Sequence, residues 1–497
     1  MTFRAGYFLG GWRARGGILE VLRIAFPLIL ASAGHAINMF TDRMMLQWYS
    51  TDAMAAAFPA GITSFALNCF FVGTVGYAGS FVAQYTGAGR EERVGVSVWQ
   101  AIHMAFIGAL CMLPFAWFAP EIFRAFGHDP RIQPLEVAYF RIMAVSTAVP
   151  LLMIAFSTFW SGRGKTLMIM CVNLFVTLVN IPLNYAMIFG LRIPLPGLGD
   201  LVIPEMGVPG AAWATVGAGF CGMIVFAIAF FRRSARKRFA TLGPIFDGDL
   251  FRRLVRFGAP TGLHLLLDLL SFNIFIILMG KISVTVLAAA TVAFSINALA
   301  FTPMLGVGQT VSILVGQGVG GNDIPYAIRV LRSARTLTLG YMFLMAVFFV
   351  LYPDPIFRSF RLVPGGEVES ITRVMLYFIS AYLLFDGMAI LYSSAIKGAG
   401  DTCVAMWIGI LMAWFAYAFP SMICFYLFTR SPLAGRLGAE LANQAALWSM
   451  WTVCVLYIMG CGSLYYLRYK TGKWKSMKVI ESVAQTDPPS ETPEAGL

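Results

Sequence analysis

Twelve apolar stretches, most of them longer than the roughly 20 residues a helix needs to cross a bilayer, leave this chain of 497 residues few ways to fold. They lie near residues 20–46, 53–84, 95–119, 133–161, 166–190, 208–231, 253–280, 284–316, 327–352, 370–396, 402–428 and 440–467. Inside hydrocarbon each backbone N–H and C=O must be satisfied within the segment, so such runs are expected to be helices. Hydrophobic residues make up 59% of the chain and charged residues 12%, too few charges for the surface of a soluble globule. An all-α polytopic membrane protein is the expected fold. Pro and Gly within the longer runs predict tilted or bent helices packed on one another.

The formal charge of +12 is laid out as topology. Of 36 basic residues, 25 fall on one side, at the start of the first span, in or bordering alternate loops, or after the last span, in clusters such as Arg232, Arg233, Arg236, Lys237 and Arg238. The positive-inside rule makes that side cytoplasmic, with both termini on it, in the cell membrane, or the inner membrane of a Gram-negative bacterium. Contact with anionic lipid accounts for the charge, and nucleic acid is not an expected partner. Eight cysteines stand singly in apolar runs with no metal-ligand spacing, and no HExxH or GxSxG motif marks an enzyme. The basic start followed by an apolar run is too long for a signal peptide and reads as the first helix. The polar, Pro-rich end of the chain predicts disorder.

The second half repeats the first. Pro27 matches Pro260 and Gln84 matches Gln317, both at an offset of 233, while Gly162 and Gly164 match Gly398 and Gly400 at 236. An even number of spans per half inserts both in the same orientation, giving two six-helix lobes related by a pseudo-twofold along the membrane normal. The expected division is a segment 1–19, an N-lobe 20–231, a linker 232–250, a C-lobe 251–468 and a tail 469–497. Two such lobes around a central cavity suit alternating access better than a fixed pore. The glycine pairs lie in connections without P-loop or Rossmann context and read as turns and caps, with Asp401 and Thr402 expected to cap the eleventh helix.

Against the apolar background, Asp268 and Asp386 stand out. A charge at a helix centre costs roughly 2.5 to 3.5 kcal/mol on insertion scales, so such carboxylates normally face a cavity, a partner or an ion path. Hydrogen-bonded packing is the plainer alternative. Tyr382 lies one turn before Asp386, placing a phenolic oxygen on the same face. His264 lies one turn before Asp268, where it could relay protons or simply pack. In the fifth span Asn173, Asn180 and Asn184 share one side, with Pro182 freeing backbone carbonyls beside them.

Seven segments, in order and spacing, resemble the MATE (multidrug and toxic compound extrusion) family and most closely its Na+-coupled bacterial branch: MFTDRMML, VAQYTGAG, GRGKT, VNIPLNYAMIFG, GVPGAAWAT, GAPTGLHLLLDLL and YLLFDGMAILYSSAIKGAGDT. The resemblance implies a secondary antiporter that exports organic, often cationic, compounds in exchange for Na+ or H+, with no other cofactor, and a monomer is expected. It places Asp268, Asp386 and Tyr382 at a C-lobe cation site able to take Na+, and Asp42, Asn180 and Asn184 at an N-lobe polar site. An interfacial pair with Arg43 is the other reading of Asp42. Aromatic residues at 14% and 26 methionines could line a cavity for hydrophobic cations. A flippase for a lipid-linked saccharide or other amphiphile is the alternative; it would call for a cavity dominated by Arg and Lys.

Overall fold

The computed structural model describes residues 12–481, apart from 128, 196–198, 244, 361 and 433–437. Among the described residues, twelve helices are long and apolar enough to cross a membrane: α1 Ile18–Tyr49, α2 Thr51–Gly87, α3 Glu92–Trp117, α4 Gln133–Ser161, α5 Thr166–Phe189, α6 Val208–Phe230, α7 Gly248–Ile282, α8 Val284–Gly320, α9 Ile324–Leu351, α10 Glu367–Ala399, α11 Thr402–Thr429 and α12 Ala439–Lys470. Two large apolar cores form, one mainly from the first six helices around Phe81, Phe159 and Phe230 and one mainly from the last six around Phe275, Tyr382 and Trp451; Val21 and Ile24 of α1 join the second, and Leu250, Leu254 and Ile313 join the first.

The duplication recurs in local chemistry. Ser50 and Ser283, at the repeat offset of 233, sit in extended backbone between the first two helices of each lobe. Each side chain caps the next helix, accepting from Asp52 N–H at 3.2 Å and from Val286 N–H at 3.0 Å. The interface between the lobes is reciprocal as well. A Cβ on Gly87 would overlap the Gln317 carbonyl, and one on Gly320 would overlap that of Gln84. Gly73 of α2 meets Gly262 of α7, and their repeat equivalents Gly306 of α8 and Ile29 of α1 meet in the same way. Glycine is needed at Gly73, Gly87, Gly262, Gly306 and Gly320 because the facing helix, with Ile29 opposite Gly306, comes to where a Cβ would sit.

Hydrogen bonds between the lobes cluster at the end carrying the basic loops. Gln84 Nε2 donates to the carbonyls of Gly398 and Ala399, both at 3.1 Å, and its counterpart Gln317 Nε2 donates to Gly162 O at 2.8 Å. Tyr77 Oη adds a bond to Lys397 O at 2.8 Å. The lobes are therefore closed together at the basic end.

Four features depart from or extend the sequence-based picture. An antiparallel hairpin, β1 Leu191–Leu195 and β2 Gly199–Ile203, joins α5 to α6 in an otherwise helical chain. Within α11, residues Met412–Ala418 form a π-helix, the wider turn that often accompanies functional positions. Asp401 precedes α11 without capping it; its carboxylate accepts from Arg468 Nε at 2.6 Å. In the segment 469–497, for which disorder was expected, residues as far as Glu481 are folded: Trp474 and Val479 are buried, and Val479 N–H donates to Gln84 Oε1 at 2.9 Å. Residues 482–497 lie outside the described part.

The 232–250 linker also packs. It contains a short helix, Arg233–Phe239, and is pinned to α3 by Trp99 Nε1 donating to Thr241 O at 3.0 Å and by Arg93 pairing with Asp247 at 2.8 Å.

Candidate functional site

In the N-lobe, α1 extends to Tyr49, which leaves Asp42 two turns inside the helix. Its carboxylate accepts from Asn184 Nδ2 and, at 3.2 Å, from Thr215 Oγ1 of α6. Asn184 Nδ2 also reaches Asn180 Oδ1 at 2.9 Å, and both asparagines are fully buried. Asn184 Oδ1 is buried with no partner among the described residues. The cluster thus offers a carboxylate, a hydroxyl and an uncommitted amide oxygen within one polar pocket of apolar helices. Arg43 turns away and stacks at 4.8 Å over Phe58, so Asp42 is bonded inward and not to its neighbour. Asn173 does not join: its amide bonds back to Ile169 O at 2.9 Å in its own helix. Thr215 was not singled out from the sequence, since a threonine in an apolar run ordinarily bonds its own helix, as this one also does to Ala211 O at 3.0 Å.

In the C-lobe, Asp268 of α7 and Asp386 of α10 lie within electrostatic reach of each other. Asp268 accepts from Tyr457 Oη of α12 at 3.0 Å. Tyr457 in turn stacks on Tyr417, carried by the π-turn of α11, at 4.8 Å between ring centroids. Asp386 makes no hydrogen bond to a described residue, and Tyr382, a turn away on α10, is buried in the C-lobe core.

His264 shares α7 with Asp268 but is committed elsewhere: Lys397 Nζ of α10 stands 3.0 Å from its Nδ1. An ammonium donates only, so Nδ1 accepts and the ring proton sits on Nε2. The ring occupies space left by Gly409, where a Cβ would collide with it. Lys397 also lies within electrostatic reach of Asp268. Lys397, Tyr457 and Tyr417 escaped the sequence reading because Lys397 resembles a topological loop charge and the tyrosines blend into an aromatic-rich background. Among the described residues no three His, Cys, Asp or Glu side chains converge as a metal cluster.

Fold and site together define a two-lobed membrane transporter with polar centres inside each lobe. The family description MatE matches residues 27–186 and 260–420, two segments whose starts are again 233 apart. The chain belongs to the MATE family, and it is a transporter and not an enzyme. It is 29% identical over 410 residues to a probable multidrug resistance protein NorM of Bradyrhizobium diazoefficiens, covering 81% of this chain and 85% of that one. It is 26% identical over 422 residues to the multidrug resistance protein PmpM of Pseudomonas aeruginosa, covering 82% and 83%. The fold is shared with an outward-facing multidrug resistance MATE family transporter at a TM-score of 0.77, 15% identity and coverage of 96% of this chain and all of that one. A Vibrio cholerae MATE transporter, VcmN, aligns at 0.76 and 15% identity over 92% of this chain and 98% of that one. The flippase alternative gains no support from these relatives.

Proposed function

We propose that this protein is a multidrug antiporter that exports organic, often cationic, compounds in exchange for inward Na+ or H+, rocking its lobes about a central site. The observation that carries this reading is the pairing of a reciprocal, glycine-based closure at one end with carboxylates inside both lobes. A closure built from matching surfaces of two repeats can open as a unit, and an intramembrane carboxylate without a permanent partner, as Asp386 is, binds cations by charge.

Both centres can take a small cation. Around Asp42, the oxygens of Asn184 and Thr215 are hard neutral ligands fit for Na+. In the C-lobe, Asp268 and Asp386, with Tyr382 nearby, can take Na+ or a proton; the ammonium of Lys397 beside Asp268 opposes a second cation there and leaves Asp386 as the uncommitted carboxylate. Relatives named as multidrug resistance proteins support an organic substrate. The basic end would be cytoplasmic, with a single chain as the working unit.

The test is efflux of a fluorescent organic cation from proteoliposomes under separately imposed Na+ and H+ gradients. Transport driven by at least one gradient is expected. Equal rates with and without both gradients would overturn the antiporter reading.

A further inference from the structure

A cavity of about 630 Å³ opens at the basic end of the N-lobe, lined by residues of that lobe and of the linker's short helix and by none of either polar centre. Its walls come from the last turn of α4, the turn that follows, the last turns of α6 and the short helix Arg233–Phe239. One side is cationic, with Arg163, Arg232 and Arg238; the other is apolar, with Val225 and Ile228.

Arg163 is held rigidly. Its guanidinium lies 3.7 Å from the Phe159 ring centroid and 4.4 Å from that of Phe239, and its Nε donates to Phe159 O at 2.8 Å. The terminal nitrogens are left for something else. Arg238 is engaged by Glu91 at 2.7 Å, but among the described residues neither Arg163 nor Arg232 has a carboxylate partner. Three guanidinium groups thus share one acid. Burial, with repulsion from Arg238 and against the pull of Glu91, brings Arg163 down to about 10, as fits a cation lacking a full counter-charge.

The apolar side tells what kind of anion belongs there. Ile228 is 61% exposed and lies on the membrane-spanning helix α6, so the wall continues onto a surface that faces acyl chains. The short helix is laid out for an interface: Ala235 and Phe239 are buried while Arg233, Arg236, Lys237 and Arg238 are exposed. A soluble anion would use the arginines and leave the apolar wall bare; an amphiphile uses both. Basic pockets between membrane helices near a charged leaflet take anionic headgroups in this way. We propose that this cavity binds an anionic phospholipid, its phosphodiester on Arg163 and Arg232 and an acyl chain along Val225 and Ile228 of α6. The lipid would tie the short helix, and with it the linker between the lobes, to the bilayer.

The proposal is tested by native mass spectrometry of the purified full chain with added phosphatidylglycerol, phosphatidylcholine or inorganic phosphate. Wild-type protein is expected to retain phosphatidylglycerol over phosphatidylcholine, and R163Q/R232Q to lose that retention by about tenfold or more, as removal of two cations beside an anionic headgroup predicts. R252Q/K473Q, which removes two exposed charges elsewhere at the same end, should retain it. Because Arg163 also stacks on two rings, R232Q alone serves as a variant that leaves the packing intact and should show a partial loss. Equal retention by wild type and R163Q/R232Q would overturn the proposal. So would displacement of phosphatidylglycerol by an equal concentration of inorganic phosphate, which would mark a soluble-anion site.

Discussion

Lys397 Nζ of α10 lies 3.0 Å from His264 Nδ1 of α7, a contact that binds the two helices carrying the C-lobe carboxylates. It sets the imidazole tautomer and keeps an ammonium beside Asp268. Lys397→Met and His264→Ala should therefore act as one unit. Each should lower transport in proteoliposomes, and the double variant should be no worse than the more damaging single one. Fully additive losses would show that the two side chains act independently.

Neutralising the acids should separate coupling from folding. Asp386→Asn and Asp42→Asn are each expected to abolish gradient-driven efflux, yet Asp386→Asn should be as thermostable as wild type or more so. Its carboxylate has no hydrogen-bond partner among the described residues to lose, and placing a charge at such depth costs roughly 2.5 to 3.5 kcal/mol. A wild-type efflux rate in either variant would remove that acid from the mechanism.

Two glycines should set the conformational balance. Gly87→Ala and Gly320→Ala introduce a Cβ against the opposite lobe's backbone, so both should push the basic end apart. Spin labels at Glu92→Cys and Pro325→Cys report this as a longer distance. Gly340→Ala, where a Cβ meets nothing within 4 Å, is the control and should leave the distance unchanged.

Glu481 fastens that same end. It pairs with Arg90, accepts from Arg253 Nη1 at 2.6 Å, and accepts from Tyr85 Oη at 2.7 Å. Burial pushes its carboxyl up, but these donors and the Arg90 charge outweigh burial and hold it down to about 2, against an ordinary 4.5. A carboxyl depressed in the folded state contributes stability in full above its unfolded value, and the contribution is lost as pH falls through the folded value. Closure measured by the same label pair should therefore weaken between about pH 4.5 and 2 in wild type. Glu481→Gln should begin more open and lose that pH dependence; an unchanged profile would exclude Glu481 as a fastener.

Much of this architecture is local in origin and legible in the chain. Helix number follows from the length of apolar runs, because backbone hydrogen bonds have no other partner in hydrocarbon. The repeat at 233 reappears in the Ser50 and Ser283 caps and in the reciprocal Gln84 and Gln317 contacts, since a duplicated sequence folds into duplicated surfaces. Asp268 and Asp386 stand out through their cost in an apolar setting, and Asn180 and Asn184 through helical spacing. What the linear order could not supply is which faces meet. Spacing alone groups Asn173 with Asn180 and Asn184, yet only the latter two meet α1 at Asp42. Spacing also puts His264 beside Asp268, while the packing of α10 on α7 gives the histidine to Lys397 and that of α12 gives Asp268 to Tyr457. Glu481 borders a stretch too polar to pack by itself and is ordered because Arg90, Arg93 and Arg253, from distant parts of the chain, converge on one point. Hydropathy and periodicity are properties of a segment; a hydrogen-bond partner from another helix is a property of the assembled bundle, and only the tertiary structure decides it.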